Sequence, residues 1–322
     1  MPKLVAIAIG GNSLIRDRRH QGVDDQYAAI CETVRHIVDI IEDGYEVVIS
    51  HGNGPQVGFI LRRSEIAYLH EGMHFVPLAS CVADTQGALG FQIQQALENE
   101  FKKRNLAKKA VTVITRVEVN QDDPSFAHPG KPIGSFYSDQ QIQNLKKDHP
   151  DWAVIHDAGR GYRRAVPSPV PVGIVELKAI ETLVNQGFCV VAVGGGGIPV
   201  ARLDDGSLEG REAVIDKDYA TGLLATRLKA EMLLISTAVD NVFLNFGQPD
   251  QKALGAISVE ETRRLMAEGH FAAGSMLPKI NAALDFIEHG GAAVIITSPQ
   301  LIKAAISGNA GTRISREGLK AL

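Results

Sequence analysis

The chain has 322 residues, of which 45% are hydrophobic, and this content is ample for a sizeable folded core. Its 33 Lys and Arg residues against 37 Asp and Glu residues give a formal charge of −4, which argues against a dedicated surface for nucleic acid or for anionic membranes. The 3 cysteines form no CxxC pair, so neither a disulfide framework nor a structural zinc site is expected. We expect a cytoplasmic protein with small-molecule partners, because no apolar run reaches the length of a secretory core or a membrane span.

Short apolar runs alternate along the chain with segments of helical periodicity. Strands are predicted at residues 4–9, 46–50, 111–119, 153–155, 188–193, 232–236 and 292–297. Helices are predicted where apolar residues repeat at helical spacing, before Gly44 (Ile30, Val34, Ile37, Ile41) and before Gly187 (Ile174, Leu177, Ile180, Val184). This alternation predicts an α/β fold in which helices cover both faces of a mainly parallel sheet.

Three of the predicted strands end in glycine-rich turns. These turns are Gly10-Gly11-Asn12, Gly52-Asn53-Gly54 and residues 194–197. Without a Cβ atom, backbone N–H groups can converge closely on an anion, and the loops beyond the carboxyl ends of parallel strands meet at one edge of the sheet. The turns therefore predict a site for phosphate oxygens in an enzyme that handles phosphoryl groups.

One segment interrupts the alternation of strands and helices. From residue 120 to about residue 171 the chain is rich in Pro, Gly, Asp and Lys, and this density of proline disfavours long helices. A loop of this length in a compact protein is usually disordered or functional, and the strand predicted at 153–155 argues against disorder. We predict a small protruding subdomain that covers the site.

The sequence lacks two common nucleotide-binding motifs and contains one match to a metal-binding motif. The sequence contains no GxxxxGK[ST], and the glycine run at 194–197 lacks the GxGxxG spacing of a dinucleotide fold. Residues 70–74 match HExxH, the zinc motif of metalloproteases, which requires a helix. Because Gly72 lies inside this match and Pro77 follows it, we interpret it as a coincidental surface match and predict no protein metal site.

Two lysines lie at the predicted starts of amphipathic segments. Lys217 lies within Asp216-Lys217-Asp218, and Lys279 follows Gly274-Ser275-Met276-Leu277-Pro278. A helix N-terminus with a lysine beside it attracts anions through both its dipole and its charge. Phosphoryl transfer needs positioning and cations rather than covalent help, so two lysines oriented by the Asp218 carboxylate fit that chemistry.

Motifs over nearly the whole chain resemble those of carbamate kinases, within the amino-acid-kinase fold. They lie at residues 8–12, 50–58, 131–137, 163–169, 193–200, 212–218, 239–240, 245–247 and 274–276. The resemblance implies an eight-stranded, mostly parallel sheet between helical layers, with the protruding subdomain at about 120–171. It also implies a homodimer whose N-terminal half, residues 1–200, binds carbamate or carbamoyl phosphate and whose C-terminal half, residues 201–322, binds nucleotide.

The resemblance further implies the roles of individual residues. It places Lys131, Lys217, Asp218 and Lys279 in the catalytic site, with Lys131 reaching in from the subdomain. The implied substrate-binding residues are Gly10, Gly11, Asn12, Gly52, Asn53 and Gly54. The implied nucleotide-binding residues are Gly196, Gly197, Asp216, Asp240 and Met276.

The implied reaction is reversible phosphoryl transfer between ATP plus carbamate and ADP plus carbamoyl phosphate, with Mg²⁺ on the nucleotide phosphates. The usual direction of such enzymes is catabolic and forms ATP, in arginine metabolism. The chain departs from the common family pattern at Ala238, at Leu277 and over residues 79–84, which leaves open a related kinase with another small carboxylate or carbamate analogue as acceptor. A non-catalytic nucleotide or metabolite sensor is a third alternative, but such a sensor is expected to lose a catalytic lysine.

Overall fold

The computed structural model describes residues 3–10, 14, 20, 22–150, 152–157, 161–272 and 274–318. In chain order its strands are β1 (Leu4–Ile9), β2 (Glu46–His51), β3 (Ala110–Thr112), β4 (Arg116–Val119), β5 (Lys131–Tyr137), β6 (Ala153–Asp157), β7 (Gly161–Val166), β8 (Pro171–Ile174), β9 (Cys189–Val191), β10 (Ile198–Arg202), β11 (Leu208–Gly210), β12 (Met232–Ser236), β13 (Phe243–Leu244), β14 (Lys252–Ala253), β15 (Ala256–Ser258), β16 (Ala293–Thr297) and β17 (Thr312–Ser315). Its α-helices are α1 (Val23–Glu42), α2 (Gly54–Glu71), α3 (Leu78–Lys103), α4 (Pro124–Ala127), α5 (Asp139–Asp148), α6 (Leu177–Asn185), α7 (Lys217–Arg227), α8 (Val259–Ala267), α9 (Leu277–Glu288) and α10 (Ile302–Ile306).

A central sheet of eight strands organises the molecule. Its strand order is β15-β17-β16-β12-β1-β2-β9-β3, and its neighbouring pairs are parallel except for β16 with β17. The predicted α/β class with a mainly parallel sheet is thus confirmed. Because β1 and β12 lie side by side, the turns that follow them meet at the same edge of the sheet.

Helices cover both faces of this sheet, so the architecture has three layers. In β1, Val5, Ile7 and Ile9 point into a core formed with α1, α3 and α10, whereas Ala6 and Ala8 point into a core formed with α6, α7, α8 and α9. The alternation is that of a strand whose two faces are both buried. It explains why apolar residues are continuous in the sequence of this strand.

The strand predicted at 111–119 is wrong as one element, because the chain changes sheets within it. β3 pairs with β9 at the edge of the central sheet, whereas β4 pairs with β10 in a second sheet of order β11-β10-β4-β8. The break lies at Thr115, whose N–H donates to the side chain of Gln86 at 2.7 Å. A continuous apolar run carries no sign of such a change of partner. Ile174 likewise ends β8 rather than beginning the following helix, which starts at Leu177.

The segment predicted as a subdomain has its own sheet and its own small core. The antiparallel strands β5, β7 and β6 form this sheet, and α5 packs on it through Ile142 and Leu145. Ser138 caps α5 by accepting the N–H of Gln141, which ends the preceding strand cleanly. The described helices of this segment, α4 and α5, have 4 and 10 residues, in keeping with the proline content that disfavours long helices.

The subdomain is packed directly on the main body at α2. A Cβ atom on Gly58 of α2 would lie 2.4 Å from the Cα of Gly134 in β5, so only glycine permits this approach. Ile133 and Val166 of the subdomain join a core with residues of α2 and α3. This packing fixes the start of β5, and therefore Lys131, relative to the central sheet. Within the described part of the chain, no helix has the length and apolar character needed to cross a bilayer.

Candidate active site

The first glycine turn begins where β1 ends against β12. A Cβ atom on Gly10 would lie 2.7 Å from the carbonyl oxygen of Ser236, so the close approach of these two strand ends requires glycine. Gly10 is buried and lines the cavity described below. The predicted residues Gly11 and Asn12 lie outside the described residues.

The second glycine turn joins β2 to the start of α2. The N–H of Gly52 donates to the carbonyl of Ile9 at 2.9 Å, so this amide extends the β1–β2 pairing and is not offered to a ligand as predicted. Asn53 is buried and its side-chain amide donates to Thr85 at 2.9 Å, which ties the turn to α3. Gly54 is exposed and is the first residue of α2, where backbone N–H groups have no partner inside the helix.

The third turn lies between the second turn and the chain that leads into α7. Gly195, Gly196 and Gly197 all have φ between +66° and +94°, a conformation that side chains with a Cβ atom rarely adopt. A Cβ atom on Gly196 would lie 2.4 Å from the carbonyl oxygen of Ile215, and one on Gly194 would lie 2.3 Å from Nε2 of His51. Because these glycines have no Cβ atoms, the turn packs directly against residue 215 and so positions it and the residues after it.

The helices α7 and α9 each present a lysine to one shared carboxylate. Asp216 caps α7 by accepting the N–H of Asp218 at 2.9 Å, which sets Lys217 and Asp218 in the first turn. Nζ of Lys217 donates to Oδ1 of Asp218, and Nζ of Lys279 donates to Oδ2 at 3.0 Å. The predicted arrangement, one carboxylate orienting two ammonium groups, is thus present in the structure.

Asp218, Lys217 and Lys279 form a triad in which burial and charge have opposite effects on the pKa values of Asp218 and Lys217. The side chain of Asp218 is 3% exposed, and the side chains of Lys217 and Lys279 are 12% and 15% exposed. Burial alone would raise the pKa of Asp218, but the two adjacent ammonium groups outweigh it and hold the pKa below its ordinary value. Burial lowers the pKa of Lys217, while the Asp218 carboxylate opposes that change. The triad carries one net positive charge when all three groups are ionised.

The third predicted lysine arrives from the subdomain. Nζ of Lys131 lies 3.3 Å from Oδ2 of Asp216 and 3.3 Å from the carbonyl oxygen of Ile215. Lys131 is the first residue of β5 and pairs there with Val166 of β7. The structure therefore brings Lys131 to the N-terminal end of α7, the helix that carries Lys217 and Asp218.

A cavity of about 620 Å³ opens next to Lys217 and Lys279, whereas Lys131 is not among the described residues that line it. Five predicted residues line it, namely Gly10, Asp216, Lys217, Met276 and Lys279. Gly196, Gly197 and Asp240 are not among the described residues that line the cavity; the carbonyl of Asp240 instead accepts a hydrogen bond from Thr297 at 3.1 Å. Volume and lining are those of a small-molecule site, because apolar walls surround a few convergent charges.

Several lining residues were missed in the sequence. Phe243 and Phe246 have ring centroids 6.0 Å apart and form an apolar wall, and His270 lies on the same cavity. Phe246 lies in a motif that carries the family resemblance, so its position could have been found there. Phe243 and His270 lie in no motif, and only the packing of the chain shows their place.

The HExxH match does not have the geometry of a zinc site. α2 ends at Glu71, and Gly72 terminates it with φ of +65°. His70 therefore lies on the last turn of the helix while His74 lies beyond it. Among the described residues, no group of three His, Cys, Asp or Glu side chains is placed to hold a metal ion.

Comparison with known proteins gives consistent results along the chain. The model of the amino acid kinase family matches residues 3–298. A carbamate kinase-like protein of Escherichia coli is 52% identical over 98% of this chain and 99% of its own length. The carbamate kinase of Thermococcus kodakarensis is 45% identical over 98% of this chain and 100% of its own length.

Solved structures show the same similarity. The carbamate kinase from Giardia lamblia bound to AMP-PNP superposes with a TM-score of 0.91 at 39% identity, covering 98% of this chain and 99% of that protein. An N-acetylglutamate synthase from Neisseria gonorrhoeae gives a TM-score of 0.56 at 16% identity, a likeness that extends to the fold alone.

Proposed function

The chain belongs to the amino acid kinase family, as a member of its carbamate kinase group, and on this premise we propose that its site transfers a phosphoryl group between ATP plus carbamate and ADP plus carbamoyl phosphate. The observation that carries the proposal is the convergence of Lys217 and Lys279 on Asp218 beside a cavity of about 620 Å³, with Lys131 held by Asp216 at the N-terminal end of the same helix α7. Three ammonium groups from β5, α7 and α9 provide the cations that a transferring phosphoryl group requires.

Lys217 and Lys279 would act on the phosphoryl group itself. Because both are held by Asp218, their ammonium groups are placed before the substrate arrives and need no reorganisation in the transition state. Each keeps donor capacity beyond its bond to the carboxylate, since an ammonium group has three N–H donors. Lys131 would contact the carbamoyl phosphate side, and the glycine turns at Gly10 and Gly54 would bring backbone close to the substrate.

The nucleotide would occupy the cavity between the lysines and the apolar wall. Phe243, Phe246 and Met276 line this cavity, and all three belong to the C-terminal half of the chain. Aromatic and thioether side chains suit the base of a nucleotide, while the lysines suit its phosphates. This arrangement supports the division into a carbamate half at 1–200 and a nucleotide half at 201–322.

The described residues fit a magnesium ion that enters with the nucleotide. Both oxygens of Asp218 are engaged by lysines, and Asp216 is the one carboxylate among the described residues that line the cavity. Such a donor set cannot surround Mg²⁺, which is usually held by substrate phosphates with few protein ligands. When bound, the ion would neutralise charge on the nucleotide phosphates.

A homodimer is supported by an exposed apolar surface at the edge strand β3. Phe91 of α3 is 62% exposed, and Ile114, just after β3, is also exposed. Thr112 in β3 donates to the carbonyl of Gly90, so the two apolar side chains flank the same sheet edge. Large exposed apolar side chains that lie together are usually covered by a partner, and a second copy would cover both. Light scattering after size-exclusion chromatography of wild type and Phe91→Asp tests this. We expect a dimeric wild type and a monomeric variant, and a monomeric wild type would contradict the proposal.

An ATP-formation assay tests the proposed function. Purified protein with Mg²⁺, ADP and carbamoyl phosphate is expected to form ATP, and a zinc-selective chelator is expected to have no effect. A parallel screen of ATP with carbamate and with other small carboxylates identifies the acceptor, because the relative from Escherichia coli is only described as carbamate kinase-like. Turnover with another acceptor and none with carbamate would contradict the proposal. A catabolic, ATP-forming role in the cytoplasm, within arginine metabolism, is the setting that this activity fits.

A further inference from the structure

One carboxylate, that of Asp216, serves two separate elements of the fold. Its Oδ1 accepts the N–H of Asp218 at 2.9 Å and so caps α7. Its Oδ2 lies 3.3 Å from Nζ of Lys131, the first residue of the subdomain strand β5. The same side chain therefore fixes the helix that carries Lys217 and holds the lysine that comes from the subdomain.

The neighbouring carboxylate, buried Asp218, already binds a different lysine at each of its oxygens. Lys217 occupies Oδ1 of Asp218 and Lys279 occupies Oδ2. Lys131 has one further contact, to the carbonyl oxygen of Ile215 at 3.3 Å. Both of its contacts are longer than the roughly 2.8 Å that is usual for charge-assisted bonds, and its third N–H donor has no partner among the described residues. The ammonium group is thus held in place and still able to turn toward an anion.

We infer that Asp216 is a positioning residue that acts through Lys131, and not a ligand of the nucleotide as its place in the sequence motif suggests. Before substrate binds, it keeps the Lys131 ammonium at the N-terminal end of α7, beside Lys217. Carbamoyl phosphate then binds to a site with three positioned ammonium groups, those of Lys131, Lys217 and Lys279, instead of two. This inference rests on the proposed function for its substrate, but the contact between Asp216 and Lys131 can be tested without turnover.

Substitutions at position 216 separate the two tasks of the carboxylate. Asp216→Asn keeps a good helix cap and removes the charge that holds Lys131. We expect kcat/KM for carbamoyl phosphate to fall about fivefold, through a higher KM for carbamoyl phosphate, with an unchanged KM for ADP. Asp216→Ala removes the cap as well and is expected to lower Tm, and Asp216→Glu is expected to restore part of the lost affinity. A rise in the KM for ADP equal to that for carbamoyl phosphate would overturn the inference.

A double-mutant cycle decides whether Asp216 acts through Lys131. If it does, Asp216→Asn has little further effect on kcat/KM once Lys131→Met is present, because the group it positions is already gone. The matched control is Asp43→Asn, which removes the surface ion pair with Lys303 and is expected to leave both backgrounds unchanged. An unchanged fivefold loss from Asp216→Asn in the Lys131→Met background would overturn the inference.

Acetylation with acetic anhydride, quantified on peptides by mass spectrometry, gives a readout that does not depend on activity. Asp216→Asn is expected to raise the acetylation rate of Lys131 several-fold, because the ammonium group loses its ion-pair partner. Lys178, whose side chain is 87% exposed, is the internal reference in the same digest. If the wild type makes no ATP from carbamoyl phosphate, the proposed function fails. The acetylation rate of Lys131 still shows whether Asp216 and Lys131 are in contact. An equal Lys131 rate in wild type and Asp216→Asn would overturn the inference.

Discussion

Nζ of Lys279 lies 3.0 Å from Oδ2 of Asp218, although the two residues are 61 positions apart in the chain. Asp218 lies in the first turn of α7, and Lys279 lies in the first turn of α9. The N-terminal ends of these helices therefore converge, so that their dipoles and their lysines act on the same place. Together with the ion pair of Lys217 and Asp218, this pair forms the centre of the candidate active site.

Lys217→Ala and Lys279→Ala are each expected to lower turnover about 10²-fold, because each removes a cation from the charge that develops on the phosphoryl group. The KM for ADP is expected to change less than kcat. Steady-state ATP formation from ADP and carbamoyl phosphate measures both constants. Lys303→Ala, which removes a surface ion pair with Asp43, is the matched control and is expected to behave as wild type. Near-native turnover in both site variants would refute the role given to these lysines.

Asp218→Asn is expected to destabilise the fold by about 3 kcal/mol, because it leaves buried Lys217 without its counter-charge. Urea unfolding followed by circular dichroism measures this free energy. The double variant Lys217→Met with Asp218→Asn is expected to recover part of the loss, since no uncompensated charge stays buried. Equal stability of Asp218→Asn and wild type would show that the ion pair is not formed in solution.

Lys131→Met is expected to impair the use of carbamoyl phosphate while ADP affinity stays nearly unchanged. The reason is that Lys131 comes from β5 of the subdomain, whereas the apolar wall of the cavity lies in the C-terminal half. Calorimetry with ADP and kinetics with carbamoyl phosphate measure the two effects. A collapse of ADP affinity with native KM and turnover for carbamoyl phosphate would assign Lys131 to the nucleotide instead.

Gly196→Ala is expected to lower both stability and turnover, whereas Gly206→Ala is expected to lower stability alone. Both glycines have positive φ, +94° and +84°, so alanine costs about 1 kcal/mol or more of strain at either. At Gly206 nothing lies within 4 Å of the added Cβ, but at Gly196 the carbonyl oxygen of Ile215 lies 2.4 Å away. Residue 215 must then shift, and Asp216 with it. Thermal unfolding and ATP formation are the measurements, and equal turnover in the two variants would contradict the expectation.

His51 is expected to make the fold sensitive to acid between about pH 4 and pH 6.5. Burial lowers the pKa of His51 from 6.5 to about 4, so in this range the unfolded chain binds a proton that the folded chain excludes. Stability therefore rises with pH across the window, by up to about 3 kcal/mol, and is fully present above it. Urea titrations of wild type and His51→Gln measure the slope. The variant is expected to lose most of it, while the two curves run parallel above pH 7; an unchanged slope would contradict the assignment.

Local sequence identified five strands of the central sheet, β1, β2, β9, β12 and β16, whereas β15 and β17 were not predicted. Apolar runs at β1, β2, β12 and β16 are buried on both faces, so composition alone identifies them as parallel strands. Glycine at strand ends and lysine at helix starts indicated phosphoryl chemistry. They could do so because backbone freedom and charge are properties of the residues themselves. The motifs at Lys131, Lys217 and Lys279 could be placed in one site through the family resemblance.

Only the tertiary structure decided which groups meet. That the run at 111–119 divides between two sheets follows from Gln86 of α3, which binds the chain at Thr115, and no local pattern reports a contact 29 positions away. That Gly52 gives its N–H to β1, and that Asp216 holds Lys131 from 85 positions away, also depend on packing between distant elements. Periodicity records which face of an element is buried, but the partner that buries it is chosen by the packing of the whole chain.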